Sequence, residues 1–262
     1  MPRFSESWQY LPRLGTDVDR RPEPVRLRSQ VLPARSKFEP HAHEWNQLTY
    51  ATEGVLSVMI DHECFVIAPG QALWIPGGVI HTTGTALGAT LSSLYVDGST
   101  DAPAETRAFM VSNLLRALIV EVSSFDQDTE NEYSALVTAL ISKQLDKMTP
   151  IHSPLPWPAE GVILEICEAL YNDPCSERDA YAWAEQFTMS KRTLARHFER
   201  ETGMSMRVWT QKLRSLKALE LLASGNSITQ VALALGYSST SAFTFMFRSE
   251  FGLSPSAYMK RP

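Results

Sequence analysis

The sequence predicts an α+β protein of two domains, an N-terminal β-barrel with helices after it and a C-terminal all-α domain. Between Val25 and Val96, short runs rich in Val, Ile, Leu and aromatic residues are separated by Gly, Pro and Asp, which is typical of a barrel or sandwich. From Ala104 onward, apolar residues recur at helical spacing instead. At 262 residues the chain is long enough for two domains that each bury a core.

The first domain is expected to cover residues 1–148, with several strands and then two helices. The clearest candidate strands are Gln47–Ala51, Leu56–Ile60, Cys64–Ile67 and Ala72–Ile75. One helical stripe is formed by Phe109, Leu114, Leu118 and Val122, and a second by Leu136, Leu140 and Leu145.

A proline-rich segment separates the two domains. Residues 149–158 contain four prolines, so this stretch cannot continue a helix and should run extended. We therefore predict a linker over 149–158 and a helical domain over 159–262.

The composition, with 44% apolar and 20% charged residues, is that of a soluble globular protein. No stretch reaches the roughly 20 apolar residues that span a membrane, and Met1–Arg28 lacks the apolar core of a secretory signal. We expect no membrane partner and a cytoplasmic location. Cys64, Cys167 and Cys175 are odd in number and widely spaced, which predicts reduced, packed thiols rather than disulfides or paired zinc ligands.

The charge is distributed unevenly along the chain. The net charge is −5, yet residues 186–262 hold eleven Lys or Arg against four acids, a net of +7. Residues 1–150 carry a net of −6. Because phosphate contacts require Lys and Arg, this asymmetry favours a nucleic-acid-binding C-terminal domain.

The C-terminal domain contains an internal repeat. Phe198–Met206 is echoed by Phe247–Pro255 at an offset of 49, and Ala184 is paired with Ala232 at an offset of 48. Each copy predicts a short helix, a turn, a capping serine, a second helix and a terminating glycine. The one-residue slip falls where the turn should be. The order of elements predicts a helix-turn-helix motif in each copy.

A single helix is predicted to connect the two copies. Over Met206–Ala223, the residues Trp209, Leu213, Leu216 and Leu219 form one apolar face, and Gly225 can end the helix. A rigid connection that holds the two second helices about 34 Å apart would let them enter successive major grooves of B-form DNA.

Several blocks of the C-terminal domain resemble the DNA-binding domain of the AraC/XylS family. They are Ser190–Phe198, Gly203–Ser205, Ala234–Tyr237 and Phe251–Pro255. The resemblance implies that bases are read by Arg192, Ala195 and Arg196 on the first recognition helix and by Thr240, Ser241, Thr244 and Phe245 on the second. Phe245 stands where a polar residue is frequent, so it either touches a thymine methyl group or packs. We expect phosphate contacts from Lys191, Arg200, Arg207, Lys212, Arg214 and Arg248. The alternative is an ordinary helical bundle whose basic residues form a solvated face.

Two motifs in the first domain resemble those of the cupins, so the barrel is expected to be cupin-like. The first is His41-Ala42-His43 with Gln47 and Gly54, and the second is Gly70, Pro76, Gly78 and His81. In metal-binding cupins three histidines and a glutamate hold one ion, and here Gln47 stands at the glutamate position. His41, His43, Gln47 and His81 therefore predict either a site for zinc, nickel or iron that is weakened by the missing carboxylate, or a metal-free pocket.

A small-molecule pocket in the barrel would be mainly apolar with a few polar anchors. The candidates for its lining are Trp45, Tyr50, Met59, Trp74 and Tyr95, although each also suits a packed core.

The sequence thus predicts a transcription regulator, not an enzyme, that binds double-stranded DNA under the control of a small-molecule effector or a metal. We expect a homodimer, with Leu114, Leu118 and Val122 either at the dimer seam or packed against the barrel, and RNA polymerase as a partner in the case of an activator. Two alternatives are a cupin metalloenzyme with an appended DNA-binding module and a DNA-binding protein without an effector.

Overall fold

The computed structural model describes residues 8–12, 25–97, 103–125, 132–148, 151, 154–176 and 178–260. It divides into two compact units. One consists of Gln9–Asp61 and Phe65–Ser153, and the other chiefly of Pro154–Pro262 with His62–Cys64. Residues 149, 150, 152 and 153 of the predicted linker lie outside the described part.

The first unit is built mainly of strands. They are β1 (Gln9–Leu11), β2 (Val25–Leu32), β3 (Ser36–Phe38), β4 (Asn46–Gly54), β5 (Leu56–Ile60), β6 (Glu63–Ile67), β7 (Gln71–Ile75), β8 (His81–Thr85), β9 (Ala89–Val96) and β10 (Arg107–Met110). One sheet has the order β10-β7-β4-β9-β2, with every pairing antiparallel, and the other runs β1-β3-β8-β5-β6. The predicted strand-rich domain is confirmed.

The two faces of the β10-to-β2 sheet contact different cores. One face shares a core with the other sheet, to which Leu32, Ala51 and Leu91 contribute along with Val58 and Phe65. The opposite face, with Val25, Leu48, Trp74, Leu94 and Val96, packs against two helices. Successive side chains of a strand point to opposite faces, so both faces of these strands are covered.

The two helices are α1 (Asn113–Val122) and α2 (Glu132–Lys147). Helix α1 is capped at its N-terminus by Ser112, whose hydroxyl accepts a hydrogen bond from the Leu115 amide. Phe109 lies before it in β10, so the predicted helical stripe started one element too early.

Only some residues of the predicted stripes lie on the buried faces of these helices. Leu118, Val122 and Leu145 are buried in the core against the sheet. Leu114, Leu136 and Leu140 are exposed, at 46%, 62% and 41% of their surface.

The second unit contains one short strand and then helices. They are β11 (Leu155–Pro156), α3 (Gly161–Asn172), α4 (Ala180–Gln186), α5 (Lys191–Thr202), α6 (Met206–Ala223), α7 (Ile228–Ala234), α8 (Thr240–Phe251) and α9 (Pro255–Met259). Strand β11 lies within the stretch predicted as linker and pairs with Glu63 and Cys64 of the same unit.

Helices α4 and α5, and again α7 and α8, form the two helix-turn-helix motifs. Ser190 and Ser239 cap the second helix of each pair, accepting from the Thr193 and Ala242 amides. Gly203 and Gly252 end these helices with φ of 70° and 73°, a left-handed conformation that favours glycine. The two-helix repeat follows from capping and termination at equivalent positions.

Candidate nucleic-acid interface and barrel ligand site

Helix α5 presents a polar face to solvent. Arg192, Ala195 and Arg196 are exposed, whereas Leu194 and Phe198 on the other side are fully buried. Since residues four apart share a helix face, the two guanidinium groups project from the same side. All three predicted base-reading residues of this helix therefore lie on its accessible surface.

Helix α8 is arranged in the same way but presents a different chemistry. Phe243, Met246 and Phe247 are buried, while Ser241 is exposed and Thr240 and Thr244 are half-buried. Phe245 is 79% exposed, so among the described residues it does not pack into a core. An exposed aromatic ring on a helix face with three hydroxyl groups suits apolar and hydrogen-bonding contacts rather than a charged contact.

The predicted phosphate-contacting residues are not equally available. Lys191, Arg200, Arg207 and Arg248 are exposed, and the Arg200 guanidinium lies 3.1 Å from the Glu201 carboxylate. Lys212 is half-buried. Arg214 is also half-buried, and its Nε donates to the Pro174 carbonyl at 2.7 Å. The Arg214 side chain thus also supports the loop after α3.

A cavity of about 520 Å³ lies beside α6 in the same unit. Arg178, Arg207 and Arg214 line it together with Asp179 and Tyr237. Sequence reasoning missed Arg178, whose guanidinium carbon lies 4.6 Å from the centre of the Trp183 ring. Its position next to Asp179, the N-cap of α4, was the available signal.

Helix α6 is anchored by a buried ion pair. Lys217 Nζ lies 2.9 Å from Glu220 Oε2, and the two side chains are 13% and 6% exposed. Lys217 Nζ also lies 3.6 Å from the centre of the Tyr171 ring on α3. Burial alone lowers the pKa of Lys217, but Tyr171 and Glu220 raise it by more, so the pKa lies above its usual value and the ammonium group stays charged.

The three histidines of the barrel motifs lie together. The centres of the His41 and His81 rings are 4.4 Å apart, those of His43 and His81 are 5.2 Å apart, and those of His41 and His43 are 6.3 Å apart. His41 and His81 also exchange backbone hydrogen bonds. The fold therefore brings together residues that are separated by about half of the barrel sequence.

Backbone carbonyl groups determine which ring nitrogen of each histidine carries the proton. Nδ1 of His41, His43 and His81 lies 2.8, 2.6 and 3.0 Å from the carbonyl oxygens of Glu39, Trp45 and Val79. A carbonyl oxygen can only accept, so each Nδ1 carries the proton. In each ring Nε2 is then the nitrogen left for a further contact, and for His43 that contact is Gln47.

Gln47 connects the histidines to the polar side of the sheet. Its Nε2 lies 3.0 Å from Thr49 Oγ1 and 2.9 Å from Ser93 Oγ, and its Oε1 lies 2.6 Å from His43 Nε2. Two arrangements satisfy the last contact: a doubly protonated His43 that donates to Oε1, or a turned amide that donates to a neutral His43. This network can adapt to either a donor or an acceptor on a ligand.

The described residues around the three histidines do not form a metal centre. Across the described part of the chain, no group of three or more His, Cys, Asp or Glu side chains has the geometry to hold a metal ion. Gln47 supplies a neutral oxygen where metal-binding cupins have a carboxylate, which weakens metal binding. The cluster is better suited to hydrogen bonding.

The structure separates the five predicted pocket residues. Tyr95 lies beside the His43 ring at 5.6 Å and beside the Trp45 ring at 6.4 Å. Tyr50 and Trp74 lie on the opposite face of the sheet, in or against the core formed with α1 and α2. Met59 alternates with Val58 and Ile60, which point into the core between the sheets, so its side chain points away from that core.

Sequence reasoning missed two arginines on β2. The segment Val25-Arg26-Leu27-Arg28 alternates strictly, which ordinarily indicates an apolar face inside and a polar face outside. Here the apolar residues face α1 and α2, so the arginines share the face of Leu32 toward the space between the sheets. Arg26 is only 4% exposed.

The three cysteines are free. Burial raises the pKa of Cys64 to about 12 and raises the pKa of Cys167 as well, so these thiols remain protonated at neutral pH. They act as packing residues. Of the helices that the structure describes, none combines the length and apolar character that crossing a membrane requires.

Comparison with known proteins matches both units. A family model described as a helix-turn-helix domain matches residues 183–261, and one described as the AraC-like ligand binding domain matches residues 30–145. The HTH-type transcriptional regulator NimR of Escherichia coli strain K12 is 31% identical over 227 residues, which are 84% of this chain and 82% of NimR.

Other similarities are shorter or more distant. The HTH-type transcriptional activator RhaS of Salmonella arizonae is 40% identical over 75 residues, 28% of this chain and 27% of RhaS. The solved structure of ToxT from Vibrio cholerae is 12% identical, with 90% of this chain and 98% of ToxT covered and a TM-score of 0.38. NimR and RhaS are named as transcription regulators, not enzymes, which removes support from the metalloenzyme alternative. By its two matched domains and its similarity to NimR along most of both chains, this chain belongs to the AraC family of transcription regulators.

Proposed function

We propose that this regulator reads a specific double-stranded DNA site with α5 and α8, under the control of an organic effector bound in the N-terminal barrel. The observation that carries the proposal is the pair of exposed polar faces on two equally capped helices, one of which carries Arg192 and Arg196. Each face is backed by buried aromatic and aliphatic residues, which hold the helix rigid for groove contacts.

Arg192 and Arg196 are the proposed guanine readers. A guanidinium group can donate to guanine O6 and N7 together, and such a contact discriminates against other bases by about 1–3 kcal/mol. Ala195 lies between them and leaves space for the base edges. On α8, the proposed readers are Thr240, Ser241, Thr244 and Phe245.

The test is alanine substitution with binding measured on two kinds of DNA. Arg192→Ala and Arg196→Ala should each cost about 1–3 kcal/mol on an operator selected from random duplexes. Binding to random DNA should be nearly unchanged. Arg200→Ala is the control, since its loss should be small and equal on both. Equal losses on both DNAs for Arg192→Ala and Arg196→Ala would make these residues phosphate contacts and contradict the proposal.

The proposed effector site is the part of the barrel around His43, Gln47, Trp45 and Tyr95. Aromatic rings and an adaptable amide network beside a buried apolar core are typical of small-molecule sites. Zinc, nickel or iron is the other occupant that the sequence motifs suggest, although the described histidines do not have the geometry of a metal site. Metal analysis of the purified protein should find less than one equivalent, and a stoichiometric metal that His81→Ala removes would replace the organic effector in this proposal.

We further propose that the protein is a homodimer through α2. Leu136 and Leu140 are exposed one helical turn apart, and Leu114 of α1 is exposed as well. The sequence allowed Leu118 and Val122 either at the seam or packed against the barrel. They belong to the core of one chain, so substituting them would disturb the fold instead.

Sedimentation of a Leu136→Glu variant tests the dimer. A buried charge at an interface is costly, so the variant should sediment as a monomer at concentrations where the wild type is dimeric. Tyr181→Glu, a similarly exposed position on α4, is the matched control and should leave the dimer intact. A Leu136→Glu variant that remains fully dimeric would remove α2 from the interface.

Sequence-specific DNA binding supports action in the cytoplasm, where bacterial DNA lies. RhaS is named as an activator. RNA polymerase is the partner that activation would require here. Transcription in vitro with the operator upstream of a promoter would show whether the protein activates or represses.

A further inference from the structure

The β2, β4 and β9 strands carry a row of polar side chains inside the barrel. The register places Tyr95 directly opposite both Arg26 and Gln47, and places Ser93 opposite both Arg28 and Thr49. Directly paired residues point to the same face of a sheet. These six residues therefore form two adjacent rows on one face.

This face is the one that points between the two sheets. Leu32, Ala51 and Leu91 lie an even number of residues from these polar residues along the same three strands, so they share that face. They belong to the core shared by both sheets. The face thus changes along its length, from apolar residues at one end to Arg26, Tyr95 and Gln47 at the other.

The polar end carries positive charge. Arg26 is 4% exposed, and the Arg28 guanidinium carbon lies 5.8 Å from the centre of the Tyr95 ring. Arginine stays protonated even when buried.

The charge and the shape of these groups select a ligand class. The planar guanidinium fork matches the two oxygens of a carboxylate, and the contact is stronger in a buried site than in water. The neighbouring His43–Gln47 pair can donate to or accept from a second polar group. An apolar end next to the charged end favours an organic acid over an inorganic anion.

We propose that the effector is a small organic carboxylate, whose carboxylate group binds at Arg26 and Arg28 and whose apolar part points toward Leu32 and Leu91. This inference rests on the proposed function, in which the barrel is the effector site. It adds the chemical class of the effector and two residues that select it.

Matched acids and amides test the inference on the full-length protein. The probes are hexanoate, octanoate and benzoate, each compared with its primary amide, and inorganic phosphate. At least one carboxylate should raise the melting temperature with a saturating concentration dependence, because a ligand that binds only the folded state stabilises it. Its amide and phosphate should not.

Variants of the two arginines assign the effect to the site. Arg26→Gln and Arg28→Gln should each weaken the apparent affinity for that carboxylate about tenfold to hundredfold, since each loses a charge-assisted contact. Arg107→Gln on β10 is the control and should respond as the wild type does. Arg28 is the less buried of the pair, so its variant keeps the test available should Arg26→Gln fail to fold.

Three results would overturn the carboxylate site: no acid raises the melting temperature, acid and amide act equally, or Arg28→Gln responds like the wild type. Protein binding to the selected operator, measured with and without the probe, distinguishes failure of the carboxylate site from failure of effector control. A neutral amide that binds and changes operator affinity would leave effector control standing without the carboxylate class. An arginine-dependent carboxylate that leaves operator affinity unchanged would retain the site and refute effector control.

Discussion

Thr188 and Gly236 occupy the same place in the two helix-turn-helix motifs and adopt the same backbone conformation. Their φ angles are 56° and 71°. In the first motif Met189 donates to the Ala184 carbonyl, and in the second Tyr237 donates to the Ala232 carbonyl. The first motif has Thr188 where the second has glycine, so its sequence does not indicate a left-handed residue at the turn. The structure shows that threonine adopts the left-handed conformation there, at a cost that the surrounding fold must offset.

Phe245 is the residue whose role changes most once the structure is considered. The sequence allowed either packing or contact with DNA, and its 79% exposure leaves no packing role among the described residues. An exposed phenyl ring on the accessible face of α8 matches the methyl group that distinguishes thymine in the major groove.

We predict that Phe245→Ala weakens operator binding by about 1 kcal/mol, the value expected for one buried methyl contact. Each thymine of the half-site bound by α8 is replaced in turn by deoxyuridine, which lacks that methyl group. One of these replacements should weaken operator binding by the wild type as much as Phe245→Ala does. The same replacement should not weaken binding by the Phe245→Ala variant any further. Gel-shift titration measures both, and fully additive losses at every position would exclude a thymine contact.

At the scale of elements, α6 depends on charges that the sequence does not mark as buried. Lys217 and Glu220 lie three residues apart, as do Lys143 and Asp146 on α2. The second pair is exposed, with 61% and 43% of its side-chain surface accessible. Only the folded structure distinguishes them, because helical spacing is the same in both.

We predict that Lys217→Met lowers the free energy of unfolding by about 3–5 kcal/mol, since it leaves the Glu220 carboxylate buried without its cation. Lys143→Met, the matched control, should change it by about 0.5 kcal/mol or less. Urea denaturation measures both. The double variant Lys217→Met, Glu220→Leu should recover most of the loss, and equal effects of the two single variants would refute a special role for the buried pair.

The helices after the barrel show why an apolar stripe identifies a helix more reliably than its buried face. Within α1, the predicted stripe consisted of Leu114, Leu118 and Val122, which are four residues apart. The buried residues are Leu115, Leu118, Ile119 and Val122, which follow the mixed three- and four-residue steps of a helix packed on a sheet. An apolar residue at the margin, such as Leu114, can belong to either face.

At the scale of the whole molecule, the two halves carry opposite net charge. Residues 186–262 have a net of +7 and residues 1–150 a net of −6. Positive charge concentrated on the DNA-binding domain supports non-specific attraction to phosphates, while the acidic half keeps the whole protein from being strongly basic.

We predict that Lys191→Ala and Arg248→Ala each reduce the slope of log K against log salt concentration by about 1 and weaken binding equally on all sequences. Both residues are exposed on the recognition helices, so each can release a counterion from DNA. Lys143→Ala, an exposed residue of the other unit, is the control and should leave the slope unchanged. A slope that stays the same in all three variants would remove Lys191 and Arg248 from the phosphate contacts.

The sequence by itself determined the domain classes, the repeated two-helix motif, the caps and the family. These features depend on local chemistry: Ser190 and Ser239 cap helices, glycines end them, and the charge of a segment is a sum over its residues. The three barrel histidines were also visible, because their motifs have fixed spacing.

Tertiary structure alone decided which face of each element meets which neighbour. The alternation of β2 looked like a buried apolar face and a solvated polar one, but α1 and α2 cover the apolar side and leave Arg26 and Arg28 inside the barrel. For the same reason Trp74 and Tyr50, which the sequence allowed either in the pocket or in a packed core, lie against those helices. Periodicity fixes which residues share a face, whereas the direction of that face depends on packing between segments distant in sequence.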